Sequence, residues 1–431
     1  VAQIRPFPAI RFAASDVSHV IAPPYDVLDQ ARRDGLCSGD PHNIVCVDLP
    51  HMPPKALGPK SAYAGANVTL QAWLRAGILR QDHRPALYPY SQSFGHAGRT
   101  IHRRGFITLV RLSPFDQGHV VPHERTYAGP IEDRLELMRA TEAQLSPIFG
   151  LFSDPRSVVS SALYANLGLP ENTGTLDGVR NDLWSVIDGE VENQVLDHIG
   201  RTPIYIADGH HRYTTALQYQ KECAAQAGGK LPPAHPANWC MFVLVAMQDD
   251  GLTILPTHRL IGGLANFDIK AFTKAVSPAF DVSEVPVSPE HLSDAANMLG
   301  QGPVHHFALY DGTTKTLYSL RLINEDILAD LEPDHSPAWR ELDVAIVQRY
   351  LIEEVLSKFA AGKELVRGYT ADASQIPTMV DGKTYQVALL LRPTPLHALE
   401  ELGKTKEVMP QKSTFFAPKL ATGMTIYRMA P

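Results

Sequence analysis

The segment ADGHHRYTTAL, residues 207–217, sets an aspartate, a glycine, two histidines and an arginine in a row directly behind the apolar run Pro203, Ile204, Tyr205, Ile206. A strand that ends in a glycine turn and opens a helix leaves unpaired backbone N–H groups at the helix start, where the helix dipole is positive. That is the chemistry of an anion site. Gly209 supplies the tight turn, and His210, His211 and Arg212 can contact phosphate oxygens, the guanidinium as a planar fork suited to bidentate bonding. Asp208 is a candidate metal ligand or orienting acceptor. The plain alternative is a strand-to-helix turn capped by Asp208. Against it, three nitrogen-rich side chains in one turn make poor core filling, since each needs a buried partner.

A second constellation is VVPHERTY, residues 120–127, with Asp133 and Arg134 a few positions on. A carboxylate just after a strand can accept the proton of a substrate hydroxyl, which makes Glu124 the candidate general base. His123 and Arg134 are candidate substrate contacts. The pair His123-Glu124 is not the H-E-x-x-H of a zinc protease, because Arg125, Thr126 and Tyr127 follow. A third constellation, MPQKSTFFAPK at 409–419, offers Lys412, Ser413 and Thr414 as phosphate contacts, without the glycine spacing of a P-loop. Asp26, fixed behind a double proline, and His258 complete the substrate-binding candidates. For each of these the competing reading is a solvated loop or a helix cap.

The elements that must hold these groups are legible from periodicity. Proline-rich residues 1–95 predict extended segments and turns around short helices, one opening near Asp29, with a short strand at 44–47. Residues 105–112 read as a strand and 130–143 as a helix. The apolar stretch 240–247, the turn 248–251 and residues 252–255 predict a hairpin, and 307–310 with 316–320 a second. Helices are expected at 269–275, 289–299, 342–355, 372–380 and 396–405, and strands at 366–369 and 385–391. The fold class is therefore mixed α/β, and the expected division is an N-terminal proline-rich region 1–95, a core 96–262 and a C-terminal region 263–431.

The 431 residues carry a formal charge of −7, which provides no global field for gathering polyanions, and nucleic acid is not an expected partner. The four cysteines lack C-x-x-C spacing, which argues against a zinc knuckle, a dithiol redox site or a disulfide scaffold. With no secretory h-region and no long apolar span, the expected location is the cytoplasm.

At the segments IRPFPAIRF, VIAPPYDV, PHNIVCVDLP, VVPHERTYAGPIEDRLELMRAT, IADGHHRYTTAL, PTHRL and MPQKSTFFAPKL, the chain resembles domain-of-unknown-function family 1015 over nearly its whole length. Its DGHHR segment also resembles that of the ParB/sulfiredoxin-like superfamily, which includes free-serine kinases. The resemblance implies a ParB/sulfiredoxin-like core, a phosphate turn formed by Asp208, Gly209, His210, His211 and Arg212, and Glu124 as the base. Sulfiredoxin chemistry needs a thiolate where this chain has His210, which argues against it. What the resemblance implies is a kinase that moves a phosphoryl group from ATP, ADP or pyrophosphate, with magnesium, to a small hydroxyl compound such as free L-serine. The rivals are a non-catalytic nucleotide or phosphometabolite sensor and a ParB-like DNA-binding or CTP-switch protein. The expected partners are the small-molecule substrate and the phosphate donor, without a membrane, and a homodimer is one candidate oligomeric state.

Overall fold

A computed structural model describes residues 2–126, 128–381 and 383–429, so Tyr127 of the PHERTY stretch lies outside the described residues. The chain forms two compact units, Val1–Leu252 with Pro418–Pro431, and Thr253–Ala417.

The first unit is built on a nine-stranded mixed sheet. Its strands are β1 (Ile4–Arg5), β2 (Tyr88–His96), β3 (Arg99–Arg111), β4 (Val120–Val121), β5 (Ile148–Phe152), β6 (Asn172–Leu176), β7 (Val179–Leu183), β8 (Ile204–Asp208) and β9 (Trp239–Ala246). The order across the sheet is β4-β8-β5-β9-β3-β2-β7-β6, and β1 pairs with β3. The sequence WCMFVLVA of β9 is buried along its whole length. Such a run suits a strand covered on both faces, where each large apolar side chain contributes roughly 1.5–3 kcal/mol. Strands from the region 1–95 and from the expected core 96–262 thus share one sheet, and the first unit's main segment ends at Leu252.

The helices of this unit are α1 (Gln30–Gly39), α2 (Val45–Asp48), α3 (Lys60–Arg75), α4 (Ala128–Thr141), α5 (Val158–Tyr164), α6 (Gly189–Ile199) and α7 (His210–Gln226). Asp29 caps α1 by accepting from the Arg32 N–H. Residues 44–47, expected as a strand, lie in the short helix α2 instead. The reason is Asn43, whose buried side chain donates to the carbonyls of His19 and Ile21 and accepts from the Val45 N–H at 3.0 Å, bending the chain into a helical turn. Proline-based reading also missed α3, although Tyr63, Ala66, Leu70 and Trp73 bury one helical face. Contrary to the expectation from spacing, Cys37 of α1 and Cys46 of α2 are joined by a disulfide.

The hairpin expected at 240–255 does not form. Both edges of β9 are already taken, by β3 antiparallel and by β5 parallel, so Thr253–Leu255 finds no place beside it. That strand pairs with Phe415–Ala417 in the second unit.

The second unit carries a six-stranded antiparallel sheet. The hairpin of His306–Asp311 with Thr316–Leu322 turns at the expected Asp311. Helices Ile269–Val276, Leu292–Gln301 and His397–Thr405 also fall where periodicity puts them. Leu292, Ala296 and Leu299 pack with Leu260, Tyr310, Leu317 and Leu390 in one core. The segment Ile346–Val355, expected within a helix, is wound as a π-helix.

Candidate functional site

Strand β8 ends at Asp208, Gly209 follows with φ 98°, and α7 begins at His210. The left-handed φ is open to glycine at little cost, and a Cβ there would stand 3.0 Å from the Arg212 guanidinium, which curls back over the turn. Gly209, not Asp208, is the N-cap, so the aspartate is left for ionic contacts. Its Oδ2 lies 3.2 Å from Lys419 Nζ and 3.8 Å from Arg212 Nη2. Burial alone would push the Asp208 carboxyl up. The attraction of Lys419 and Arg212 outweighs it and holds the group well below the usual carboxylate range. Arg212 is further anchored by its Nη1 donating to the carbonyl of Pro147.

Strand β4 runs parallel to β8, with Val120 opposite Ile204 and Val121 opposite Tyr205. Parallel strands leave a sheet at the same edge, so the chain beyond β4 emerges beside the turn. The contacts agree. The His123 backbone N–H donates to His210 Nε2 at 3.2 Å, and His123 Nδ1 donates to the Ile206 carbonyl at 2.6 Å. The two rings meet edge to face at 4.6 Å. Thr214 Oγ1 donates to Thr126 Oγ1 at 3.5 Å, a second tie between α7 and the segment that carries Glu124. Glu124 is next in sequence to His123 and so is held at the same sheet edge as Asp208.

Burial pushes both His123 and His210 below the ordinary imidazole range, His210 furthest, with His123 beside it adding to the effect. With Nε2 of His210 accepting a hydrogen bond, its proton sits on Nδ1. Both rings are neutral near pH 7. They orient backbone and side chains, while the positive charge at the turn comes from Arg212 and Lys419. Lys419 closes the 409–419 constellation, whose named candidates are Lys412, Ser413 and Thr414, and no local pattern points from position 419 to position 208. His211 is half-buried on the first turn of α7.

Magnesium implied by the resemblance can be tested against these groups. Asp208 is engaged by two cations, and no cluster of three His, Cys, Asp or Glu side chains able to hold a metal occurs among the described residues. The fold does not present Asp208, paired with Lys419 and Arg212, as an open magnesium ligand.

Arg134 and Arg212 line one cavity. Arg134 is buried in α4, with Nε 2.8 Å from Asp133 Oδ2 and Nη1 donating to the Asp48 carbonyl at 2.5 Å. Its guanidinium stacks 4.0 Å over the Tyr25 ring. Asp26 follows Tyr25 on a short 3-10 turn. His258 and the 412–414 loop belong to the second unit. There, His258 is buried and its Nδ1 accepts from the Leu391 N–H at 3.2 Å. Lys412 is exposed with φ 57°, and Ser413 is buried with Oγ donating to the Pro410 carbonyl.

The fold and site define a mixed α/β protein with a cationic strand-to-helix turn at a sheet edge. The chain belongs to the family of proteins of unknown function called DUF1015, whose model matches residues 4–345. No curated protein matches it. Among solved structures, it is similar to a free serine kinase mutant in complex with AMP, at 13% identity and TM-score 0.34, covering 69% of this chain and 84% of that one. A conserved hypothetical protein from Pyrococcus furiosus matches at 15% identity and TM-score 0.32, over 72% and 92% of the two chains. SbnI with C-terminal truncation from Staphylococcus aureus matches at 11% identity and TM-score 0.34, over 74% and 87%.

Among the described residues, no helix is long and apolar enough to cross a membrane.

Proposed function

We propose that the chain is a small-molecule kinase in which the 208–212 turn holds the phosphates of the donor and Glu124 takes the proton of the acceptor hydroxyl. The observation that carries this reading is the convergence of Arg212 and Lys419 on Asp208 at the start of α7, with the Glu124 segment clamped beside it by His123. A donor phosphate brings negative charge to two cations that Asp208 holds in place, and backbone N–H groups of the helix start add fixed donors.

In the transfer, the acceptor oxygen bonds to the terminal phosphorus as its proton moves to the Glu124 carboxylate. The bond from phosphorus to the leaving oxygen breaks, and its electron pair stays on that oxygen, where Arg212 and Lys419 offset the charge. The donor is ATP, ADP or pyrophosphate. The acceptor is a small primary alcohol, with free L-serine the first to test.

The experiment is a screen of the three donors against small alcohols, L-serine included, with phosphorylated product read by mass spectrometry. Product from any pair, lost in Glu124→Gln while the donor still binds by calorimetry, supports the reading. Nucleotide binding without turnover of any pair overturns the kinase and leaves a nucleotide-binding protein.

A further inference from the structure

Three buried polar side chains stand in a row across the sheet of the first unit. Asn181 of β7 lies directly opposite Gln92 of β2, and Gln92 directly opposite Arg103 of β3. Residues paired in this way point to the same face of a sheet, so the three side chains adjoin. Each is at most 2% exposed. Arg103 Nη2 donates to Gln92 Oε1, and Gln92 Nε2 donates to Asn181 Oδ1 at 3.0 Å. Tyr90 donates to the same Asn181 oxygen at 2.6 Å.

The row also reaches off the sheet. Gln92 Nε2 donates to the Lys419 carbonyl at 3.1 Å, and Arg103 Nη2 to the Pro418 carbonyl at 2.6 Å. These consecutive carbonyls belong to a segment outside helix and strand, and the side chain it carries is Lys419, whose Nζ stands 3.2 Å from Asp208 Oδ2. The Arg103 guanidinium packs 4.8 Å over the Phe149 ring, and Phe149 pairs with Asp208 between β5 and β8. Burial lowers Arg103 to about 10, which leaves it charged at neutral pH and its bond to Pro418 charge-assisted.

A polar row in a core costs desolvation that an apolar row would not, and the neighbouring β9 is built of apolar residues. What the row adds is direction, because each of its bonds specifies an atom. Lysine has a long, flexible stem. Fixing its backbone removes part of the entropy lost when Nζ meets a charged partner.

We propose that Gln92 and Arg103 are positioning residues: they hold the 418–419 backbone so that Lys419 Nζ stands at Asp208, ready for a donor phosphate. The placement of Lys419 stands on the contacts above, whereas its consequence for the donor rests on the kinase reading.

The test uses the whole chain and two readouts. The first needs no ligand: acetylation of Lys419 by acetic anhydride, measured by peptide mass spectrometry relative to the exposed Lys221. Gln92→Met, which keeps the length and loses the bonds, and Arg103→Lys, which keeps the charge and loses the fork, should each raise Lys419 labelling by about fivefold or more, toward that of Asp208→Asn. The second readout is calorimetry with ATP, ADP and pyrophosphate. In each variant the affinity for a probe that binds the parent should fall by about tenfold or more, and this loss should vanish once Lys419→Met is present. Circular dichroism reports folding, and if one variant is unfolded the other decides.

Unchanged labelling in the folded variants, or affinity losses that add to that of Lys419→Met, overturns the proposal and leaves the row to the fold alone. The two readings fail separately. Raised labelling in a protein that binds none of the probes keeps the positioning and removes the donor site. A bound probe, with labelling and affinity in the variants as in the parent, keeps the donor site and removes the positioning.

Discussion

Two segments carry the residue types of a phosphate site, the 208–212 turn and the 412–414 loop, and the fold treats them differently. At the turn, a strand end and a helix start hold Asp208 between Lys419 and Arg212, and a neighbouring parallel strand brings His123 into contact. In the loop, Ser413 Oγ turns to the Pro410 carbonyl, the Ser413 carbonyl accepts from Thr394 at 2.6 Å, and Lys412 points outward. Composition is similar; convergence is not. An anion site needs its donors aimed at one point, and in the loop the Ser413 hydroxyl is aimed at the Pro410 carbonyl.

The sharpest way to break this contrast is to remove one guanidinium. Arg212→Ala should lower kcat by about 10²–10³-fold, the cost of one preorganised donor at a developing charge, with the donor screen as the assay. An active Arg212→Ala would erase the distinction between the turn and the loop.

Next in size is a pH effect confined to the second unit. Burial, with Arg259 adding to it, lowers His258 to about 4 from the ordinary imidazole value. For a group whose folded value is depressed, the unfolded state takes up the proton first. Stability is therefore full above about pH 6.5 and declines as pH falls toward 4, by at most about 3 kcal/mol. Protonation of Nδ1 would also break its bond from Leu391. Chemical denaturation of His258→Gln against the parent between pH 4 and 7 checks this; an unchanged slope would remove His258 as its source.

Lys419→Met should come third, weakening donor binding by roughly 10–100-fold, the range of a charge-assisted contact of about 1.5–3 kcal/mol, as read by calorimetry. The loop should respond least. Ser413→Ala is expected to cost about 1 kcal/mol of stability for one hydrogen bond, and Lys412→Ala within about 0.5 kcal/mol, with donor affinity unchanged in both. A loss at Lys412 as large as that at Lys419 would make the loop an equal partner of the turn.

The prediction of a strand, a glycine turn and a helix at 204–226 came from local chemistry alone, since apolar runs, a left-handed glycine and helical periodicity act over a few residues. The same holds for the hairpin at 306–322. Misreadings arose where distant groups decide the outcome. Residues 44–47 are apolar enough for a strand, but Asn43 bonds to carbonyls 22 and 24 positions away. Residues 252–255 follow a fair turn, yet β9 had no edge left to offer.

By itself, then, the sequence determined the local form of the turn: cationic side chains behind a buried strand, without the thiol of a sulfiredoxin or the glycine loop of a P-loop enzyme. Only the tertiary structure decided which charges stand at that turn. It brought Lys419 from 211 positions away to Asp208, placed the Glu124 segment at the same sheet edge, and buried His123 and His210 so that they stay neutral. The physical reason is range. Propensity and patterning are written into a few neighbouring residues, whereas ion pairing and desolvation depend on what the folded chain sets within a few ångströms, and that is settled by the whole sheet.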